Sequence, residues 1–264
     1  MDYQDLRFEK DGPVLRLTLD RPERLNALNR NLLKRELPDA FRRAAEDREV
    51  RVVIVTGAGD KAFCAGADLK DSAEAGRIGG SQEGPYYRGS PTDFLHVGFD
   101  KPVLVAVNGL CLGAGLHLVA DADLVIAAEH ATFFDTHVRV GQVFALEGIA
   151  LLRRMPFGEV MRLMLLSGTE RISAGRAREL GLVSEVVAPE RLLGRAHELA
   201  STIASFSPAT IAASKRALWQ ALERGLTDAL EHGWREVFRH WSHPDSTEGP
   251  RAFAEKRPPR WTTE

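Results

Sequence analysis

Three apolar segments of the chain carry side chains suited to proton transfer. In "CLGAGLHLVADADL" (111–124), His117 and Asp121 are four residues apart, which places both on one helix face, where the carboxylate can orient the imidazole. In "FFDTHVRVG" (133–141), His137 follows Asp135 by two, and on a strand that spacing puts both on the same side. In "FALEGIALL" (144–152), Glu147 stands among Phe144, Leu146, Ile149 and Leu151 near a predicted helix start. Burial raises a carboxyl pKa toward the range that acid–base catalysis requires, and an imidazole, with an unperturbed pKa of about 6.5, is already there. Each residue also has a plain structural reading. His117 can be a core histidine satisfied by Asp121, because buried polar groups commonly just find partners. Asp123 reads as closing a helix-to-strand turn. His117, Asp121, Asp135 and His137 include metal-ligating types, but their spacing does not demand a metal, and none is expected.

Backbone donors form the second half of the chemistry. In "VTGAGDKAFCAGADL" (55–69), Gly57-x-Gly59-x-x-Ala62 imitates a dinucleotide fingerprint. The context fails, because Asp60, Lys61 and Phe63 run into another glycine turn instead of a helix, and the expected downstream acid falls in a Gly/Ser-rich loop. No redox cofactor is expected. That second turn, Cys64 to Leu69, is built of small residues that permit close approach to a ligand, with Asp68 as a cap and the Ala67 N–H facing outward. Gly113-Ala114-Gly115 repeats the design after the strand-like "VLVAV". Two such turns, each presenting an N–H at a helix start, make a candidate oxyanion hole, although glycine turns often serve only to turn.

The elements that must position these groups are readable from hydrophobic pattern. "GPVLRLTLDRP" reads as a strand, and "VRVVIVTG", "KPVLVAVNG" and "DLVIAA" as strands buried on both faces. Asn29 to Glu49 has helical spacing interrupted at Pro38, which predicts a kink or a split. Strands alternating with helices predict an α/β fold with parallel pairing. Asp71 to Phe94 is rich in Gly and Ser without apolar periodicity and reads as a mobile loop or loose helix beside the site. After Phe157 the chain reads as helical. A late helical pair carries Ile211, Leu218, Trp219, Leu222, Leu230, Trp234, Val237, Phe238 and Trp241, more than one hairpin buries alone, which predicts a subunit interface.

Composition narrows the class. The 264 residues are 44% hydrophobic and 27% charged with a net charge of −2, a soluble globular balance with no basic excess to recruit nucleic acid. Two cysteines, Cys64 and Cys111, make no disulfide framework. The charged N-terminus lacks a signal-peptide core, and no apolar run spans a bilayer, so a cytoplasmic protein is expected.

"RPERLNAL" (21–28), "AFCAGADL" (62–69), "KPVLVAVNGLCLGAG" (101–115), "ERISAGRARELGLVSEVV" (170–187) and "EGPRAFAEKRPPRW" (248–261) together resemble the enoyl-CoA hydratase/isomerase, or crotonase, superfamily, in the family's order over nearly the whole chain. The resemblance implies a spiral of ββα repeats over 1–205 and a C-terminal helical extension over 206–264 that mediates homotrimers, often stacked as dimers of trimers. It implies an acyl-CoA substrate, so that coenzyme A enters as part of the substrate. By position, the N–H groups of Ala67 and Ala114 are the oxyanion donors. Arg24 resembles a basic residue near the CoA phosphates. Ala65, Asp68 and Leu69 lie in the motif that faces the CoA arm, and Phe253, Lys256 and Arg257 resemble a contributor to its nucleotide end. The chain departs from the family at the acid–base pair. His117 and His137 occupy the positions of the two hydratase glutamates, and Glu147 lies two positions after the site of a single isomerase acid, where Ala145 stands. The expected activity is hydratase- or isomerase-like proton transfer with His117, His137 and Glu147 as candidates. Thioester hydrolysis and a non-catalytic acyl-CoA-binding homologue are the alternatives.

Overall fold

In a computed structural model that describes residues 3–74 and 99–262, the apolar runs become neighbours in one sheet. β1 (Leu6–Asp11) pairs antiparallel with β2 (Val14–Leu19). Four further strands then add in parallel: β3 (Val52–Gly57), β5 (Val103–Val107), β7 (Leu124–Ala128) and, at the far edge, β10 (Glu185–Val187). Both faces of β3 and β5 are buried, as continuous β-branched runs require. Val53, Val55, Val105 and Val107 face the main core, while Ile54, Leu104, Ala106 and Ile126 pack under α7 (Leu192–Ala204) through Leu192, Ala196 and Ala200.

A smaller sheet runs alongside, made of β4 (Ala62–Cys64), β6 (Leu110–Leu112), β8 (Thr132–Phe134) and β9 (Ile172–Ser173). Each turn of the chain gives one strand to the large sheet, one to the small sheet, and then a helix. The repeats are β3, β4 and α2 (Leu69–Glu74); β5, β6 and α3 (Ala114–Asp121); and β7, β8 and α4 (Leu146–Leu151). This is the spiral of ββα repeats, and it delivers the start of each helix to the same region of the molecule. The turn after Gly57 leads to β4 and not to a helix, which is the departure from a dinucleotide-binding unit that the sequence shows.

The expected break at Pro38 is a change of helix type. A π-helical turn, Leu32–Glu36, passes into α1 (Leu37–Glu46) through continuous helical backbone, with Leu37 N donating to Leu32 O, and Pro38 stands where the helix type changes. Among the described residues beyond 206 there are three helices where the sequence predicted a pair: α8 (Pro208–Ala221), α9 (Leu226–Trp241) and α10 (Asp245–Ala254). Among the described residues, no helix is long and apolar enough to cross a membrane. The Gly/Ser-rich segment read over 71–94 falls, from residue 75 onward, outside the described residues.

Asp123 has the structural role its position suggests, and it reaches further than a turn. Its carboxylate accepts from Val103 N at 2.8 Å, faces Lys215 Nζ at 2.8 Å, and accepts from Trp219 Nε1 at 2.7 Å. Lys215, on α8, also donates to Lys101 O at 2.8 Å. Asp123→Ala leaves that buried ammonium without its counter-charge, and a urea unfolding curve is expected to show a loss of about 3 kcal/mol.

Candidate active site

The two glycine turns meet in van der Waals contact. Gly66 has φ +80° and Gly113 has φ +52°, a left-handed region that favours glycine. A Cβ placed on Gly113 would lie 3.4 Å from Gly66 Cα and 3.8 Å from His137 Cε1. One placed on Gly66 would lie 3.3 Å from Leu112 O and 3.5 Å from Gly113 Cα. The His137 ring therefore borders the junction of the turns.

Each turn presents a backbone donor. Ala114 is the first residue of α3, so its N–H has no acceptor within the helix. Ala67 forms a parallel bridge with Leu28: Leu28 N donates to Gly66 O at 2.7 Å and Asp68 N donates to Leu28 O at 2.9 Å. In that pattern the bridged residue's own N–H points away from the partner segment. The bridge is held by residues that sequence reading passed over. Buried Asn26 donates through Nδ2 to Ala58 O (3.0 Å) and Ala62 O (2.8 Å), and accepts from Arg21 N at 3.0 Å. Arg21 donates to Ala27 O at 2.5 Å and to Asp68 Oδ2 at 3.0 Å, and lies 3.5 Å from Asp5. Both lie within "RPERLNAL"; the signal was an asparagine and a second arginine inside a motif that otherwise reads as a turn.

The three acid–base candidates converge, although they come from three elements. Glu147, buried on α4, places Oε1 3.7 Å from His137 Nε2 and 4.0 Å from His117 Nε2. His117 Nδ1 lies 4.0 Å from Asp121 Oδ2 across one turn of α3, the helical pairing expected from the spacing. Asp135, fully buried, accepts from His137 N at 2.8 Å and from the ring Nδ1 at 2.7 Å. The expected strand geometry is corrected here: β8 ends at Phe134, and His137 starts a 3₁₀ turn over Val138–Val140. The pair forms because an Asp side chain in a tight turn accepts from the backbone N–H two residues on, and this swings the ring onto the other carboxylate oxygen. The Asp135 hydrogen bond raises the His137 pKa above the ordinary imidazole value; burial opposes it, and the charges of Glu147 and Asp135 reinforce it.

The remaining candidates lie as follows. Asp68 accepts from Arg21 and, at 3.2 Å, from Lys70 N at the start of α2. Ala65 N donates to Leu25 O at 3.0 Å, and the Leu69 side chain is exposed. Arg24 ends an exposed 3₁₀ turn, Pro22–Arg24. Phe253, on α10, is 87% exposed, and Lys256 follows in a left-handed conformation with φ +52°. Arg257 is held by Glu248 and Glu255, each at 2.6 Å. Burial pushes the Cys64 thiol up to about 12 and raises that of Cys111 as well, so neither is a ready nucleophile. Among the described residues, no group of three or more His, Cys, Asp or Glu side chains is placed to hold a metal ion.

This architecture and its motifs recur in characterised proteins. A family model described as enoyl-CoA hydratase/isomerase matches residues 9–264. A carnitinyl-CoA dehydratase of Salmonella arizonae is 36% identical over 262 residues, covering 98% of both chains. The crystal structure of an enoyl-CoA hydratase/isomerase from Mycobacterium paratuberculosis is 40% identical, with a TM-score of 0.91 over 100% of both chains. That of an enoyl-CoA hydratase from Mycobacterium tuberculosis H37Rv is 32% identical, with a TM-score of 0.87 over 98% of this chain and 99% of the other. Matched along almost its whole length in both sequence and fold, the chain belongs to the enoyl-CoA hydratase/isomerase family of the crotonase superfamily and is an enzyme of that lyase or isomerase type.

Proposed function

We propose that the protein binds acyl-CoA thioesters and moves a proton beside the thioester carbonyl, with Glu147 as the acid–base group. The observation that carries this reading is the position of Glu147 Oε1, a buried carboxylate oxygen facing both His137 and His117, with His137 bordering the paired glycine turns. The N–H groups of Ala67 and Ala114 donate to the thioester oxygen as negative charge develops there, and fixed donors aimed at developing charge are typically the largest single catalytic contribution. Glu147 takes the α-hydrogen as the C–H electron pair moves toward the thioester, then returns a hydrogen to the conjugated system. The two imidazoles stand where hydratases keep glutamates, so syn hydration by two carboxylates is not written into this site. The names of the relatives, a carnitinyl-CoA dehydratase and enoyl-CoA hydratases, support the acyl-CoA substrate class.

The test begins with calorimetric titration of acetoacetyl-CoA. Assays of crotonyl-CoA hydration, 3-enoyl-CoA isomerisation and CoA release follow. Micromolar binding with hydration or isomerisation is the expected result. Failure to bind any acyl-CoA sinks the reading, binding without turnover replaces it with a binding protein, and CoA release alone replaces it with a thioester hydrolase.

We also propose that α8 and α9 build a homotrimer, alone or stacked as a dimer of trimers. Leu218, Leu230, Trp234, Phe238 and Trp241 are all exposed in the single chain, and Trp234, Phe238 and Trp241 form one aromatic cluster, the kind of surface that marks an interface. Light scattering is expected to give three or six times the 29.1 kDa chain mass. A monomer at micromolar concentration rejects it.

A further inference from the structure

Resting on the reading of Glu147 as the base, we propose that Asp135 and His137 form a proton exit from Glu147 to solvent, so that hydrogen removed from the substrate is traded with water. Three features carry this. First, Asp135 spends both oxygens on His137, one on its backbone N–H and one on Nδ1. Asp135 Oδ2, a carboxylate oxygen that can only accept, is within hydrogen-bond distance of Nδ1, so the neutral ring carries its proton on Nδ1, and Nε2 is the nitrogen that faces Glu147 Oε1 at 3.7 Å, a gap that a small rotation or one bridging water closes.

Second, the five groups are graded in exposure. Their side chains are 0% exposed at Asp135, 5% at Asp121, 9% at His117, 12% at Glu147 and 21% at His137. A hydrogen on Glu147 thus has a buried imidazole on one side and a more exposed one on the other. Third, the groups facing His137 suit it to hold a proton in transit: Asp135 behind Nδ1, Glu147 ahead of Nε2, and the Phe144 ring beside it at 5.9 Å. His117 and Asp121 flank Glu147 from α3.

The steps balance simply. Glu147 carboxylate takes hydrogen from the α-carbon, whose electron pair passes into the thioester. The resulting carboxylic acid gives its proton to Nε2 of neutral His137. The imidazolium, stabilised by Asp135, releases that proton to water, and the reverse path returns a solvent hydrogen to the substrate carbon. Without the exit, Glu147 hands back the hydrogen it took.

The experiment is isomerisation of trans-3-hexenoyl-CoA in D₂O, with deuterium per product read by mass spectrometry for the wild type, His137→Asn and Asp135→Asn. Loss of structure lowers turnover but does not change deuterium per turnover, so the ratio isolates the exit. The wild-type product is expected to carry solvent deuterium, and both variants are expected to cut the ratio by at least about tenfold. Histidine ¹⁵N NMR on the free protein gives a second readout that needs no turnover. It is expected to show His137 protonated at Nδ1 and shifted toward the other tautomer in Asp135→Asn. A wild-type product that retains its hydrogen, a ratio unchanged in His137→Asn, or an Nε2-protonated neutral His137 overturns the exit. Absence of both isomerisation and hydration in the wild type, with acyl-CoA bound, rejects Glu147 as the acid–base group; absence of isomerisation alone leaves the His137 tautomer to decide the exit.

Discussion

Glu147→Gln lowers kcat on the best acyl-CoA substrate by roughly 10²–10⁴-fold, the range for loss of a general acid–base group, while acyl-CoA binding measured by calorimetry stays within about threefold. The amide has nearly the volume of the carboxylate, so the packing of α4 against α3 and the turn after β8 survives. What disappears is the ability to accept a proton at the oxygen that both imidazoles face. If hydration used the two family positions instead, His117→Ala and His137→Asn would each match Glu147→Gln in severity. The present geometry ranks them below it, because both imidazoles reach the same Glu147 oxygen. Activity in Glu147→Gln within about threefold of wild type removes that residue from the chemistry.

The large sheet was legible because β3, β5 and β7 are written as uninterrupted runs, "VVIVTG", "VLVAV" and "LVIAA", and a strand buried on both faces leaves no other pattern. The small sheet was not. Its strands "AFC", "LCL" and "TFF" are three residues long, too short for any periodicity to register, yet they set the distance between the two glycine turns. Likewise α10, "DSTEGPRAFA", hides behind an internal Gly and Pro that argue against a helix. At the site, residue types suggested each proton-transfer group separately, and the family resemblance showed where the usual glutamates are replaced. Nothing in the sequence tells that Glu147, ten residues beyond His137 and thirty beyond His117, closes onto both. That meeting is made by the spiral, which returns the start of each helix to one place. The Asp135–His137 contact was foreseen for a reason the fold corrects: the residues share a turn and not a strand face.

Gly113→Ala is expected to cost activity out of proportion to stability. The residue sits at φ +52° and ψ −124°, a conformation that a side chain adopts only with strain of order 1–3 kcal/mol. Its new Cβ would stand 3.4 Å from Gly66 Cα, so relief means moving one glycine turn away from the other. Both turns carry a backbone donor, and displacing one donor from an oxyanion hole costs roughly 10²–10³-fold in kcat. Urea unfolding therefore shows a modest loss while kcat falls two to three orders of magnitude by that estimate. Gly194→Ala makes the matched control. That glycine lies inside α7 with nothing within 4 Å of an added Cβ, and alanine there stabilises by about 0.5–1 kcal/mol through helix propensity with kcat unchanged. If Gly113→Ala keeps wild-type kcat while losing stability, the turns do not supply the oxyanion donors, and stabilisation of the enolate must be sought from other groups around Glu147.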